Sequence, residues 1–470
     1  MMGLKGAPDA SDGRDAEARA APATDRGRMI IARMDRIPVW AFPSSLVLII
    51  GTGYFFTFFD ITDIGFAMPA IATQFDLTGS ETLFVALAVG LIGYIVGSYM
   101  IGTLADRYGR FNTMLATIAL TAIGSFGDAA ATNLLTLTVW RFVTGMGVGA
   151  DLNLVSTYIG ELSPPKIRGR MSVLTFFIGI IGQAVTPFIA LALVPTYAIG
   201  WRLLFVIGGV IAVIALGARS QLPESPRWLV LHGKDDRADE IVTKMEGFAR
   251  AKGVDLPEPE VQEISGERGK FPTAYLFHRP YSTRLLVLAS MWFLWYIGNY
   301  GFLGDAATLL ADQGITVANS IMFLAIGAVG YPVGAIVMLL VADRIERKVL
   351  ILGSTVVWLV GMLAFGSLAN EYVVEAGSFL ASMALGMYLQ LAYTFTVESY
   401  PTRARTSGFA LSDGLGHIGG AVGALALPVI VSTYSFGLGF GFIGATGFLA
   451  GLIAMAGPSA TRRHLEQVSR

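Results

Sequence analysis

The sequence predicts an all-α membrane protein of twelve transmembrane helices, arranged as two six-helix pseudo-symmetric halves. Three observations predict it. The 470 residues have a mean hydropathy of +0.62, with 54% hydrophobic and only 14% charged residues, too apolar for a chain that meets water on all sides. Twelve runs are long and apolar enough to cross a bilayer, which takes about 20 residues of helix. Two polar loop motifs recur along the chain with a single offset.

The runs are 44–71, 81–104, 113–131, 135–160, 171–195, 201–218, 285–310, 317–341, 349–369, 373–397, 406–433 and 436–457. They are too long and unbroken for strands, and lipid tolerates only helices or closed barrels. The expected organisation is a cytoplasmic tail over 1–43, a first bundle over 44–218, a cytoplasmic central loop with short helices over 219–284, a second bundle over 285–457 and a tail over 458–470. Residues 1–38 are polar and lack an apolar core followed by a cleavage site, which predicts a disordered tail rather than a signal peptide. The 236–250 portion of the central loop reads as an amphipathic helix bracing the cytoplasmic side.

Charge placement checks the span count. Of 33 Lys and Arg, Arg141 and Arg202 stand apart; the other 31 fall in the tails or in loops after even-numbered spans. Loops after odd-numbered spans and their edges hold acids such as Asp76, Glu81, Asp128, Asp312 and Glu371. The positive-inside rule then puts both termini and the central loop in the cytoplasm, and the protein in a cell (inner) membrane.

Composition also excludes. There is no cysteine, and only one of the four histidines (His232, His278, His417 and His464) lies in an apolar segment, so no metal and no cofactor is expected. The net charge of −1 gives no sign of a nucleic-acid partner. The expected partners are the lipid bilayer, protons and a small-molecule substrate, and the chain is read as a monomer. No paired catalytic groups converge outside the central cavity, so an enzyme is not expected.

The repeat is explicit. LADRYGRF at 104–111 matches VADRIERK at 341–348, so that Asp106, Arg107 and Arg110 map onto Asp343, Arg344 and Arg347 with an offset of 237. ELSPPKIRG and ESYPTRART align Glu161, Pro164 and Arg168 with Glu398, Pro401 and Arg405 at the same offset of 237. Two homologous halves with a site between them near the midplane are the architecture of a rocking transporter.

These residues resemble the major facilitator superfamily. GTLADRYGRF is similar to its signature loop after span two, RFVTGMGVGADLNLVSTYIGELSPPKIRG to its span four, and LPESPRWL at 222–229 to the segment after span six of sugar porters and related metabolite carriers. The resemblance covers the chain after residue 38. One departure is Glu346 at the counterpart of Gly109, which predicts a different turn in the second half.

The resemblance implies that Asp106, Arg107, Arg110, Glu161, Arg168, Glu224, Arg227, Asp343, Arg347, Glu398 and Arg405 form a salt-bridge gate joining the halves on the cytoplasmic side. Without it, the same residues read as solvated ion pairs worth about 0–1 kcal/mol each.

Inside the membrane a charge costs about 2.5–3.5 kcal/mol on insertion scales, so buried ions mark cavities or partners. The intramembrane set is Asp60, Asp63, Arg141, Asp151, Asp413 and His417, with Asp305 near the outer end of span seven. Asp60 and Asp63 are about 300° apart on a helix, share one face, and are expected to face the central cavity. Similarity to sugar porters implies that Asp60 pairs with Arg141 as the proton switch, while Asp63 has no counterpart there. Two carboxylates and an arginine in a dry site also couple protonation to binding on physical grounds; a static ion pair is the alternative. Asp151 is a second proton-pathway candidate. The glycines before it serve helix packing, since no strand precedes them.

Asp413 and His417 lie at i and i+4, where they can pair. Their helix resembles that of aromatic-acid–proton symporters, but those carry arginine where His417 stands, which leaves smaller acids, polyols and neutral solutes open. Gln183, Trp292, Tyr296, Asn299, Tyr300, Gln390 and Tyr393 are candidate substrate contacts. The expected function is proton-coupled uptake of a small organic metabolite by alternating access, organic acids preferred. The alternatives are sugar or polyol symport, proton-driven drug or metabolite efflux, and a non-transporting nutrient sensor, which would need a longer tail than the 13 residues after Gly457.

Overall fold

The computed structural model describes residues 25–458 apart from 84, 86–87, 165–166, 262–275, 280, 342–344 and 401–404. Of the expected gate residues, Asp343 and the side chains of Asp106, Arg168 and Arg405 therefore lie outside the described residues.

The spans fall where the apolar runs place them, within a few residues. The first half comprises Ser44–Phe75, Gly79–Leu83 with Val89–Tyr108, Arg110–Ala130, Leu134–Leu162, Arg168–Leu193 and Gly200–Arg219. The second comprises Tyr281–Asp312, Val317–Ala328 with Gly330–Val341, Arg347–Ser367, Glu371–Glu398, Arg405–Thr433 and Phe436–Ala454. Among the described residues, ten spans are long and apolar enough to cross a membrane by length and composition. Span two has a shorter apolar stretch, Val89–Ile101, and span four carries Arg141 and Asp151. Side chains such as Ile214, Leu286 and Val429 point outward from the bundle, as lipid contact requires.

The repeat governs local structure as well as sequence. Asn133 caps span four by accepting from the Thr136 N–H, and Asn370, 237 residues later (370 − 133), caps span ten through Val373. The turns before spans three and nine differ, as Glu346 predicts. Gly109 sits at φ 100°, where a side chain is strained and a Cβ would lie 2.1 Å from Glu224 Oε2, whereas Glu346 sits at φ −59°. The halves meet through span one against span seven, and through the symmetry-related pairs two against eleven and five against eight. Arg202, one of the two bases outside the charge rule, donates to the Ala129 and Ala131 carbonyls at 2.7 and 2.6 Å, neutralising the end of span three.

The expectation of disorder before residue 39 is corrected for its last part. Residues Asp25–Asp35 form a helix packed on Asp235–Ala251, the amphipathic helix expected in the central loop. Ile30, Met34 and Ile37 are buried, and Arg33 and Arg36 both hydrogen-bond Glu246, at 2.8 and 2.6 Å; Arg33 also pairs with Asp239. Composition marked the segment as polar, but its bases are neutralised by acids more than 200 residues away. Burial pushes the Glu246 carboxyl up, yet the hydrogen bonds and charges of Arg33 and Arg36 outweigh it and hold the group below its ordinary value. Its contribution is therefore complete above the unfolded value, about 4.3, and is lost as pH falls through the lower folded value. Glu246→Gln should speed hydrogen exchange in residues 25–37 at pH 7, and acidification of the wild-type chain below about pH 4 should do the same.

Candidate functional site

Span four carries Arg141 into the interior of the first half, where it is 5% exposed. Three carboxylates surround it: Asp128 Oδ2 at 3.4 Å, Asp60 Oδ2 at 3.9 Å and Asp63 Oδ1 at 3.9 Å. The pairing of Asp60 with Arg141 is thus present, but Asp128 is nearer and the only one of the three that Arg141 hydrogen-bonds. Thr144 lies 3.1 Å from Asp128 Oδ2, and Ser125 donates to Asp60 Oδ1 at 3.0 Å. Asp63 accepts no side-chain hydrogen bond.

Two expectations are corrected here. Asp60 and Asp63 do not line the central cavity; they turn into the first bundle, with Gly208 of span six beside Asp63. The face of span one that does reach the cavity is that of Phe58 and Ile61, two residues out of step and therefore about 200° round the helix. Asp128, read from sequence as an outer-edge acid, is fully buried. Its signal was the buried polar stripe Thr117, Thr121, Ser125 and Asp128 along one face of span three. Asp305, near the outer end of span seven, is buried as well, with Oδ2 making no hydrogen bond.

Asp151 belongs to a separate cluster. Arg219, at the end of span six, reaches back to pair with both its carboxylate oxygens, Nη2 lying 2.9 Å from Oδ2. Thr57 and Thr117 donate to the same carboxylate at 3.1 Å each. Asp151 and Arg219 are 2% and 1% exposed, so this carboxylate is saturated and sealed off from the cavity. Charge patterning placed Arg219 among the loop bases, and no local motif distinguishes it.

The cavity itself, nearly closed in this conformation with a volume of about 20 Å³, lies between the halves. Six of the expected contacts line it: Gln183, Tyr296, Asn299, Tyr300, Tyr393 and His417. Three stand behind it. Trp292 is fully buried and donates to Thr396 Oγ1, Gln390 donates to the Gly386 carbonyl, and Asp413 accepts from Tyr94 at 3.2 Å and Tyr296 at 2.8 Å. Asp413 Oδ2 lies 3.5 Å from His417 Nδ1, so the i,i+4 pair is present.

The described gate pairs lie within the halves rather than between them. Arg110 pairs with Glu161 at 3.1 Å, and the equivalent Arg347 with Glu398 at 2.6 Å. Glu224 accepts from the backbone N–H groups of Arg110 and Phe111 at 3.1 and 3.3 Å, stabilising the start of span three. Arg227 pairs with Asp35 of the N-terminal helix at 2.5 Å, and Arg107 lies over the Tyr108 ring.

A Cβ on Gly53 would lie 1.5 Å from Arg219 Nη2, so the absence of a side chain there lets the guanidinium reach Asp151. Gly53→Ala and Arg219→Ala should each lower thermal stability strongly, the latter by about 3–5 kcal/mol because it strands a buried carboxylate. Asp151→Asn combined with Arg219→Leu should recover part of that loss in thermal unfolding of the purified protein.

Comparison with known proteins agrees with this geometry. The sequence profile of the sugar (and other) transporter family matches residues 46–470. The putative metabolite transport protein YyaJ of Bacillus subtilis (strain 168) is 28% identical over 437 residues, covering 92% of this chain and 96% of that protein. The niacin transporter NiaP of Acinetobacter baylyi is 28% identical over 404 residues, covering 86% of this chain and 90% of its own. Among solved structures, the proton:xylose symporter XylE of E. coli superposes with a TM-score of 0.75 at 22% identity, covering 91% of this chain and 98% of that one. Matched over nearly its whole length, and folded as two repeated six-helix halves about a central cavity, the chain belongs to the sugar (and other) transporter family of the major facilitator fold and is a transporter rather than an enzyme.

Proposed function

We propose that the protein couples entry of protons to uptake of a small organic metabolite, alternating access to the cavity between its halves. The observation that carries this reading is the cluster of Asp60, Asp63 and Asp128 around Arg141. Three ionised carboxylates about one guanidinium would leave two negative charges uncompensated in a site closed to water. By charge balance such a cluster binds protons, and opening a water path to either face of the membrane would change how many. The cluster and the cavity share span one, whose opposite stripes face each of them, so proton occupancy acts on the cargo site through the packing of one helix.

The face bearing residues 25–43 and the central loop is assigned to the cytoplasm, supported by the distribution of Lys and Arg. The pairs Arg110–Glu161 and Arg347–Glu398 brace each half as a rigid body, and Asp151–Arg219 stiffens the first half in the same way. An acid cargo draws support from the niacin transporter among the relatives, whereas the cavity lining contains no Lys or Arg among the described residues.

In proteoliposomes, with a cargo found by thermal-shift screening, an inward proton gradient should accelerate uptake. Asp60→Asn should abolish that acceleration while preserving exchange of cargo across the membrane, and Asp128→Asn should shift the pH dependence of uptake. Uptake that ignores the gradient in the wild-type protein would refute proton coupling.

A further inference from the structure

We propose that the cavity between the halves accepts an uncharged, flat ring compound whose N–H or O–H groups meet acceptor atoms of the protein, and that it disfavours a free carboxylate. This rests on the transporter reading above and narrows its cargo.

His417 supplies the first constraint. Its Nδ1 lies 2.8 Å from the backbone carbonyl oxygen of Asp413. A carbonyl only accepts, so Nδ1 carries the hydrogen, and the neutral ring keeps its lone pair on Nε2. The imidazole is held by stacking on Tyr94, with centroids 3.9 Å apart at 20°, and by Tyr296 at 4.3 Å. His417 thereby offers the cavity an acceptor in a fixed orientation.

Charge is the second constraint. The Asp413 carboxylate, with two tyrosine hydroxyls donating to it, stands directly behind the cavity wall. With a neutral imidazole the Asp413–His417 pair sums to −1, and with a protonated one it sums to zero. With Asp413 ionised the pair is not net positive, and no Lys or Arg lines the cavity among the described residues. A carboxylate cargo would be buried with no net counter-charge and with Asp413 close by, an arrangement that protein interiors disfavour.

The third constraint comes from the amides. Gln183 Oε1 from the first half and Asn299 Oδ1 from the second accept no hydrogen bond, although these side chains are only 1% and 4% exposed. Both line the cavity. Buried acceptors without partners are costly, and a cargo with donor groups would satisfy one from each half at once. The rings of Phe58, Tyr300 and Tyr393 supply flat apolar walls around them, which favours stacking of a planar cargo over a puckered polyol.

The test uses the full-length protein in lipid nanodiscs and isothermal titration with benzamide, benzoate and myo-inositol as probes. Benzamide should bind at least about tenfold more tightly than benzoate at pH 7.5, and more tightly than myo-inositol. Asn299→Leu and Gln183→Leu should each weaken benzamide binding about tenfold, and His417→Arg should admit benzoate. The wild-type comparison alone decides the matter if a variant fails to fold. Benzoate binding equal to or tighter than benzamide, preference for myo-inositol, or no binding of either ring would overturn the proposal. Benzamide binding without benzamide counterflow in proteoliposomes would instead refute the transport reading and leave the cavity chemistry standing.

Discussion

The first half is organised around one buried guanidinium. Arg141 sits in the interior of a bundle surrounded by lipid, where an uncompensated cation is untenable. Spans one and three each supply acids to it, so the packing of three helices is tied to a single charge balance. The excess of acids over base makes that balance depend on protons rather than on geometry alone. A second cation, Arg219, is treated in the opposite way. Its one acid is also bonded by two threonines, so both carboxylate oxygens have partners. One buried ion cluster thus holds more acids than bases, and the other is a one-to-one pair.

This division assigns span one a mechanical role. Phe58 and Ile61 face the central cavity while Asp60 and Asp63 face the Arg141 cluster, the two stripes lying about 200° apart on the helix. In the proposed coupling, cargo and proton never need to touch. A helix whose back face changes its charge shifts its packing, and its front face moves with it. Because span one also meets span seven of the other half, such a shift is felt at the interface that must open and close.

Much of this was legible in the sequence, and what was missed has identifiable causes. Span positions follow from hydropathy because lipid admits so few alternatives. The repeat follows from matched motifs, and its offset reappears in the caps Asn133 and Asn370 and in the pairs Arg110–Glu161 and Arg347–Glu398. Periodicity shows that Asp60 and Asp63 share a face, but not which neighbour that face meets. Asp128 was hidden by its place near a span end, and Arg219 by its resemblance to an ordinary flanking base. The docking of residues 25–35 depends on partners more than 200 positions away, which no local composition can reveal.

Proton occupancy of the Arg141 cluster is what should set the arrangement of the two halves, and this can be measured without knowing the cargo. The chain has no cysteine, so spin labels can be placed on Thr73→Cys and Gln313→Cys, at the outer ends of spans one and seven, without removing native thiols. Double electron–electron resonance in nanodiscs should show a distance distribution that shifts between pH 5 and pH 8. The same shift should vanish when Asp60→Asn and Asp63→Asn are introduced together. A distribution that ignores pH in the unsubstituted cluster, or a shift that survives in the double variant, would contradict it.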